Sequence, residues 1–286
     1  MTCSIEDLAR MYMPQEKYIR LVKAELQQRL DVISQWCIEP GSRVLEIGCG
    51  QGDSTVILAD LVGADGHVTG IDPAPLDHGS PFSFAQVHAN LKSSPLGSRI
   101  TFHQATLQEF LQSNPDAKFD YAVFMHCLWY FESPDGLRPM LASLRGRARN
   151  LLIAEFSLDA RGDPTTLPHL LAALSQAEIS SRVARAIQET NIFSLHTPKS
   201  IKKAVSQAGW KMQKESYVDN HPDALDGRRE VDAVLSEECR MAIATEPEEG
   251  RRRFAEALVE SVQAAVGSLG PGKKAKTMSS WLGSFA

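Results

Sequence analysis

The chain has 286 residues, 43% of them hydrophobic, and a formal net charge of −5. That length suits one α/β core with additions better than two full domains. The acidic balance is a poor match for a polyanion, whose binding rests on neutralising phosphates, so nucleic acid is not expected as a partner.

Ile19, Val22, Leu26, Leu30 and Ile33 recur at steps of three and four, which predicts an amphipathic helix over 17–36. Pro40-Gly41 leads into a first strand, 43–47. A helix over about 54–62 stops near Gly63, and a second strand runs from His67 to Asp72. The Pro-, Asp- and Gly-rich stretch 74–81 reads as loop, and Phe82 to Leu91 as helix. A third strand (Arg99 to Gln104), a short helix (107–113) and an apolar fourth strand (Asp120 to Met125) follow. Ser133-Pro134 starts a helix to about 148, and Leu151 to Phe156 is a fifth strand. Five strands alternating with helices predict an α/β, doubly wound, mostly parallel Rossmann-like sheet. Residues 157–196 then read as helical, Thr197-Pro198 starts a helix ending at Gly209, and Trp210 to Val218 alternates like a strand. Residues 219–275 are polar and helix-rich, and Thr277 to Ala286 reads as a last strand. The basic run Arg251-Arg-Arg lies among glutamates and reads as a solvated helix face.

The five cysteines (Cys3, Cys37, Cys49, Cys127, Cys239) form no CxxC pair and no Cys/His cluster of zinc spacing. Reduced thiols in a cytoplasmic protein without a metal are the expectation. The first twenty residues carry Glu6, Asp7, Arg10, Glu16 and Lys17 rather than the apolar stretch of a secretory signal. No run of 18 apolar residues occurs, so no membrane span or membrane partner is expected.

The chemistry concentrates at Val44-Leu-Glu-Ile-Gly-Cys-Gly-Gln-Gly-Asp-Ser54. A buried strand runs into Gly48, Gly50 and Gly52, with Asp53 or Ser54 offering a helix N-cap. Strand, glycine turn and helix in that order make a nucleotide-type cradle. A dinucleotide fingerprint G-x-G-x-x-G would need glycine at position 53, where Asp53 stands. The pattern Glu46-x-Gly48-x-Gly50-x-Gly52 resembles the first motif of class I S-adenosylmethionine-dependent methyltransferases, and the resemblance covers roughly residues 40–218.

The resemblance implies a seven-stranded sheet and S-adenosylmethionine as cofactor, with S-adenosylhomocysteine as product. It places Glu46, Gly48, Cys49, Gly50, Gly52, Asp53, Asp72, Pro73, Thr106, Leu107 and Met125 at the cofactor, with Asp72 accepting from the ribose hydroxyls, Thr106 beside the adenine amino group and Glu46 ordering the glycine loop. Thr106 departs from the acidic residue that the family often has there. After the fourth strand, Met125-His-Cys-Leu-Trp-Tyr-Phe131 resembles the segment of small-molecule methyltransferases and lacks the [DN]-P-P-[YF] or Pro-Cys signatures of base-modifying enzymes.

His126 is the candidate general base, because an imidazole titrates near neutral pH. Trp129, Tyr130 and Glu155 are candidates for the acceptor pocket, and Tyr12 and Tyr18 for covering the cofactor. The expected organisation is an N-terminal helical lid segment (1–36), a core (37–218) with a helical insertion at 157–196, a second helical insertion (219–275) and a final core strand (276–286). The expected activity is in-line methyl transfer to an O, N, S or C atom of a small molecule. Two other readings stand beside it: transfer to a protein or tRNA, and a silent cofactor-binding regulatory protein. A homodimer is left open.

Overall fold

The computed structural model describes residues 2–181 and 192–286. The N-terminal segment holds α1 (Ile5–Tyr12) and α2 (Glu16–Ile33). The alternating region holds β1 (Arg43–Ile47), α3 (Asp53–Val62), β2 (His67–Asp72), α4 (Phe84–Ser93), β3 (Ile100–Gln104) and α5 (Leu107–Ser113). It continues with β4 (Phe119–Met125), α6 (Leu137–Ser143) and β5 (Ala148–Phe156). Then come α7 (Leu167–Ser180), α8 (Pro198–Gln207), β6 (Met212–Val218), α9 (Asp226–Leu235), α10 (Glu237–Ala244), α11 (Glu249–Gly267) and β7 (Ser280–Phe285).

All seven strands join one sheet in the order β3-β2-β1-β4-β5-β7-β6. β1 to β5 are parallel, and β7 runs antiparallel between β5 and β6. Successive side chains of a strand point to opposite faces. Val44, Tyr121, Val123 and Met125 therefore pack toward α1–α4, while Leu45, Ile47, Ala122 and Phe124 pack toward α6 and α8. Burial on both faces explains the unbroken apolar centre of β4. The helical additions form their own cluster, in which α7, α9, α10 and α11 share Ala172, Ile179, Val231, Ile243 and Val259. Among the described residues no helix is long and apolar enough to cross a membrane.

Several boundaries differ from the sequence reading, by one to three residues at most element ends and more clearly at the following places. Gly52, in the left-handed region at φ +93°, caps α3, and Asp53 is its first residue. α6 ends at Ser143, because Gly146 turns the chain at φ +71° and β5 then begins at Ala148. Arg149 and Asn150 hide the start of that strand from a hydrophobic pattern. Within 157–196 the described helices are the short 3-10 turn Pro164–Thr166 and α7, with a turn at Arg161-Gly162 before them and no helix over 192–197. The part of that helical reading at 182–191 lies outside the described residues.

Candidate active site

The carboxyl ends of the parallel strands carry the site, as in open α/β sheets generally. Gly48, Gly50 and Gly52 all have positive φ, at +73°, +51° and +93°. Their surroundings differ. A Cβ at Gly48 would sit 2.7 Å from Cys127 Cβ, so that glycine is required by the fold. A Cβ at Gly50 would meet nothing nearer than Phe84 at 3.9 Å, so its face is open. Backbone N–H groups of Gly48 and Cys49 both donate to Ile71 O, at 2.9 and 3.2 Å, pinning the turn to β2.

Two carboxylates hold the turn. Asp72 accepts from Gly50 N at 3.0 Å through Oδ2 and from Ala74 N at 2.9 Å through Oδ1. Each oxygen keeps a lone pair beyond these bonds. Glu46 is buried and accepts the Ser54 hydroxyl and, at 2.5 Å, the Thr55 hydroxyl. It thereby ties β1 to the first turn of α3. Burial raises its pKa to about 7 against the pull of those two donors.

The other residues predicted for the cofactor are placed as follows. Cys49 is buried, and a Cβ at Gly70 would lie 3.0 Å from its Sγ, so it fills a tight space between β1 and β2. Asp53 accepts Arg29 Nε at 2.8 Å. Pro73 is exposed beyond β2. Thr106 caps α5: its hydroxyl donates to Glu109 Oε2 at 2.8 Å and accepts Glu109 N at 3.2 Å. Leu107 and Met125 are buried. Tyr12 donates to Gln51 Oε1 at 2.8 Å, inside the glycine turn, and Tyr18 packs edge-on against Phe82 with centroids 4.7 Å apart.

His126 requires correction. Its backbone is left-handed at φ +46° and its ring stacks on Phe156 with centroids 4.4 Å apart. Arg29 NH1 lies 2.9 Å from Nδ1, and Ser280 Oγ 2.7 Å from Nε2. A guanidinium only donates, so Nδ1 must accept, and this network assigns the proton to Nε2. Nε2 then donates to Ser280 Oγ, whose hydroxyl donates to Asn220 Oδ1 at 3.0 Å. Burial and the neighbouring Arg29 push the imidazole pKa down to about 3. The basic lone pair is occupied, so the expected base role does not fit the geometry.

Trp129 is likewise corrected. It is 2% exposed, donates Nε1–H to His196 O at 3.2 Å, and packs in a cluster with Phe156, Ala173 and Met278. A sealed ring is a core residue, not a pocket wall. Glu155 is buried and spends both oxygens on backbone, accepting Leu128 N and Phe156 N, each at 2.9 Å. It braces the turn after β4, and burial pushes its pKa to about 8 despite those donors. Tyr130 is different. It is 41% accessible, yet desolvation is the main influence raising its hydroxyl pKa, followed by Glu230, Asp226 and Glu155.

Three charged neighbours of Tyr130 were not anticipated: Arg29 on α2, and Asp226 and Glu230 on α9. Arg29 NH2 lies 3.6 Å from Asp226 Oδ1. Glu230 accepts from the Gln176 side chain, and burial raises its pKa to about 7. The one signal available was that Arg29 stands directly beside the Leu26–Leu30 stripe of α2, where a solvated arginine is out of place. Among the described residues no group of His, Cys, Asp and Glu is arranged to hold a metal ion.

A family model described as a methyltransferase domain matches residues 18–215, and the chain belongs to that family. It is 27% identical to Methyltransferase phomM of Diaporthe leptostromiformis, over 82% of this chain and 75% of that one. It is 31% identical to the ubiquinone biosynthesis O-methyltransferase of Hahella chejuensis, over 45% of this chain and 49% of that one. A cyclopropane-fatty-acyl-phospholipid synthase-like protein from Lactobacillus casei has a similar structure, with TM-score 0.83, 26% identity, and 99% and 98% of the two chains covered. The chain is therefore an S-adenosylmethionine-dependent methyltransferase on a seven-stranded Rossmann-like sheet.

Proposed function

We propose that this methyltransferase delivers its methyl group to a small molecule held between the carboxyl ends of β4 and β5 and the layer formed by α7 and α9. The observation that carries this reading is Tyr130, accessible at 41% but desolvated, with its hydroxyl unpartnered among the described residues and Glu230 and Asp226 as its charged neighbours. A site assembled from several separate segments suits a compact acceptor. The relative named for ubiquinone biosynthesis adds support.

When bound, S-adenosylmethionine supplies an activated sulfonium methyl group, so alignment and desolvation are the protein's main tasks. Asp72 would accept the ribose hydroxyls with the lone pairs left over from Gly50 and Ala74. Gly50 offers a backbone face without a Cβ, and Glu46 keeps the turn in place through Ser54 and Thr55. Thr106, Leu107 and Met125 would border the adenine. On the acceptor side, Tyr130 orients the nucleophile and Glu230 takes its proton. A carboxylate pKa near 7 matches that work better than an ordinary one. His126, Glu155 and Trp129 hold the frame. The helical segments 1–36 and 219–275 cover the site and exclude water.

The test is incubation of the enzyme with methyl-labelled S-adenosylmethionine and a cell extract resolved into metabolite, protein and RNA fractions. Label is expected in the metabolite fraction. Label confined to protein or RNA would overturn the reading.

A further inference from the structure

Helices α2 and α9 meet through two charge pairs. Glu25 Oε1 pairs with Arg229 NH2 at 2.5 Å, and Arg29 NH2 with Asp226 Oδ1 at 3.6 Å. On each helix the acid precedes the base by about one turn, so antiparallel packing matches unlike charges at both rungs. The rungs are not equivalent. Arg229 is 51% exposed, whereas Arg29 and Asp226 are 13% and 16% exposed. Only the inner rung reaches the donor side, because Arg29 also gives Nε to Asp53 at 2.8 Å and NH1 to His126 Nδ1 at 2.9 Å.

Arg29 therefore uses three edges of one planar group on three separate segments: the first residue after the glycine turn, the turn after β4, and the first residue of α9. A guanidinium is rigid, and a shift demanded by one partner is felt by the other two. Burial works against its charge, and Asp53 and Asp226 outweigh that, so it stays protonated throughout. We propose that Arg29 is a positioning residue that couples cofactor binding at the glycine turn to docking of α9, each favouring the other. Such coupling is reciprocal and typically amounts to about 5- to 150-fold in affinity. The start of α9 is independently anchored by Gly227 N donating to Thr277 Oγ1 at 3.0 Å, so substitution at Asp226 is expected to leave the fold intact.

The test uses S-adenosylhomocysteine alone and is thus independent of the acceptor reading. Its affinity is measured by calorimetry, and amide exchange is followed over 226–235. In the wild type the ligand should slow exchange in α9. Asp226→Asn should weaken binding at least about 5-fold and abolish that slowing. Asp226→Glu should restore affinity to within about twofold, and Arg229→Gln, on the outer rung, should change it by less than about twofold. Arg29→Lys, which keeps the charge and loses the fork, should weaken binding as Asp226→Asn does. The Arg29→Lys/Asp226→Asn pair should be no weaker than Arg29→Lys alone. Wild-type affinity in Asp226→Asn would overturn the proposal. So would equal damage from Arg229→Gln, which would mean simple tethering, or full additivity in the pair, which would mean that Asp226 acts without Arg29. Should Asp226→Asn fail to fold, Arg29→Lys against Arg229→Gln gives the same decision.

Discussion

The donor and acceptor halves of the proposed site are built differently. The donor half comes from one stretch, Glu46 to Asp72, and its carboxylates clasp neighbours within the same βαβ unit: Glu46 holds Ser54 and Thr55, and Asp72 holds Gly50. The proposed acceptor half gathers Arg29, Tyr130 and Glu230 from α2 before the sheet, the turn after β4 and α9 between β6 and β7. The donor half is rigid by short-range closure, and the acceptor half depends on long-range docking. A fixed donor site with an assembled acceptor site lets one fold serve many acceptors.

The comparison can be broken or sharpened by substitution. The largest effect is expected from Asp72→Ala, which removes two charge-assisted contacts worth about 1.5–3 kcal/mol each. S-adenosylmethionine should bind about a thousandfold more weakly by calorimetry. Unchanged affinity would remove Asp72 from the donor half. Trp129→Ala should cost stability instead, about 3–5 kcal/mol in denaturant unfolding. An acceptor KM that rises in Trp129→Phe without any loss of stability would return the ring to the pocket.

Glu230→Gln should lower kcat about a hundredfold while cofactor affinity stays within about twofold. The sign of its pH dependence follows from the raised pKa of about 7. The carboxylate must be ionised to take a proton, so wild-type rate should climb through pH 7 and level off above it. If the Glu230→Gln profile kept that rising limb, the base would lie elsewhere.

The smallest effect on rate belongs to His126→Asn, since asparagine tolerates the left-handed backbone and can accept from Arg29 while donating to Ser280. Its kcat should fall less than about tenfold, the lower end of what loss of a general base costs being far larger. Stability should respond to acid. The imidazole pKa is depressed from 6.5 to about 3, so the unfolded chain binds the proton first. The stability tied to neutral His126 is complete above pH 6.5 and is lost as pH falls toward 3, at about 1.4 kcal/mol per unit. Melting curves of wild type and variant over that window should converge as the pH drops. A constant gap between them would mean that the imidazole is not held neutral.

How legible each half was follows from the same contrast. A strand, three glycines and a carboxylate twenty residues on are local patterns, and β1, the glycine turn and the place of Asp72 at the end of β2 are read correctly from spacing. The doubly wound order is legible too, because hydrophobic runs alternate with amphipathic ones. His126 looks like a base in sequence because its partners are remote, Arg29 lying 97 positions away and Ser280 154 positions away. No periodicity reports such distances. Trp129 and Tyr130 are adjacent in sequence, yet the short 3-10 turn Leu128–Tyr130 sends one ring into the core and leaves the other exposed. Glu230 reads as one more charge on a polar helix until α9 is seen against Tyr130.

Strand β7 lies between β5 and β6, although it is the last strand of the chain. During synthesis, β2 to β5 can pair as they emerge, because each finds a neighbour already made. β6 cannot, since its only sheet partner comes some sixty residues later. Ser280, which fixes the far side of the His126 ring, arrives with that same strand. The nascent chain would therefore fold the glycine turn and Asp72 into place before the His126 ring gains its far-side partner.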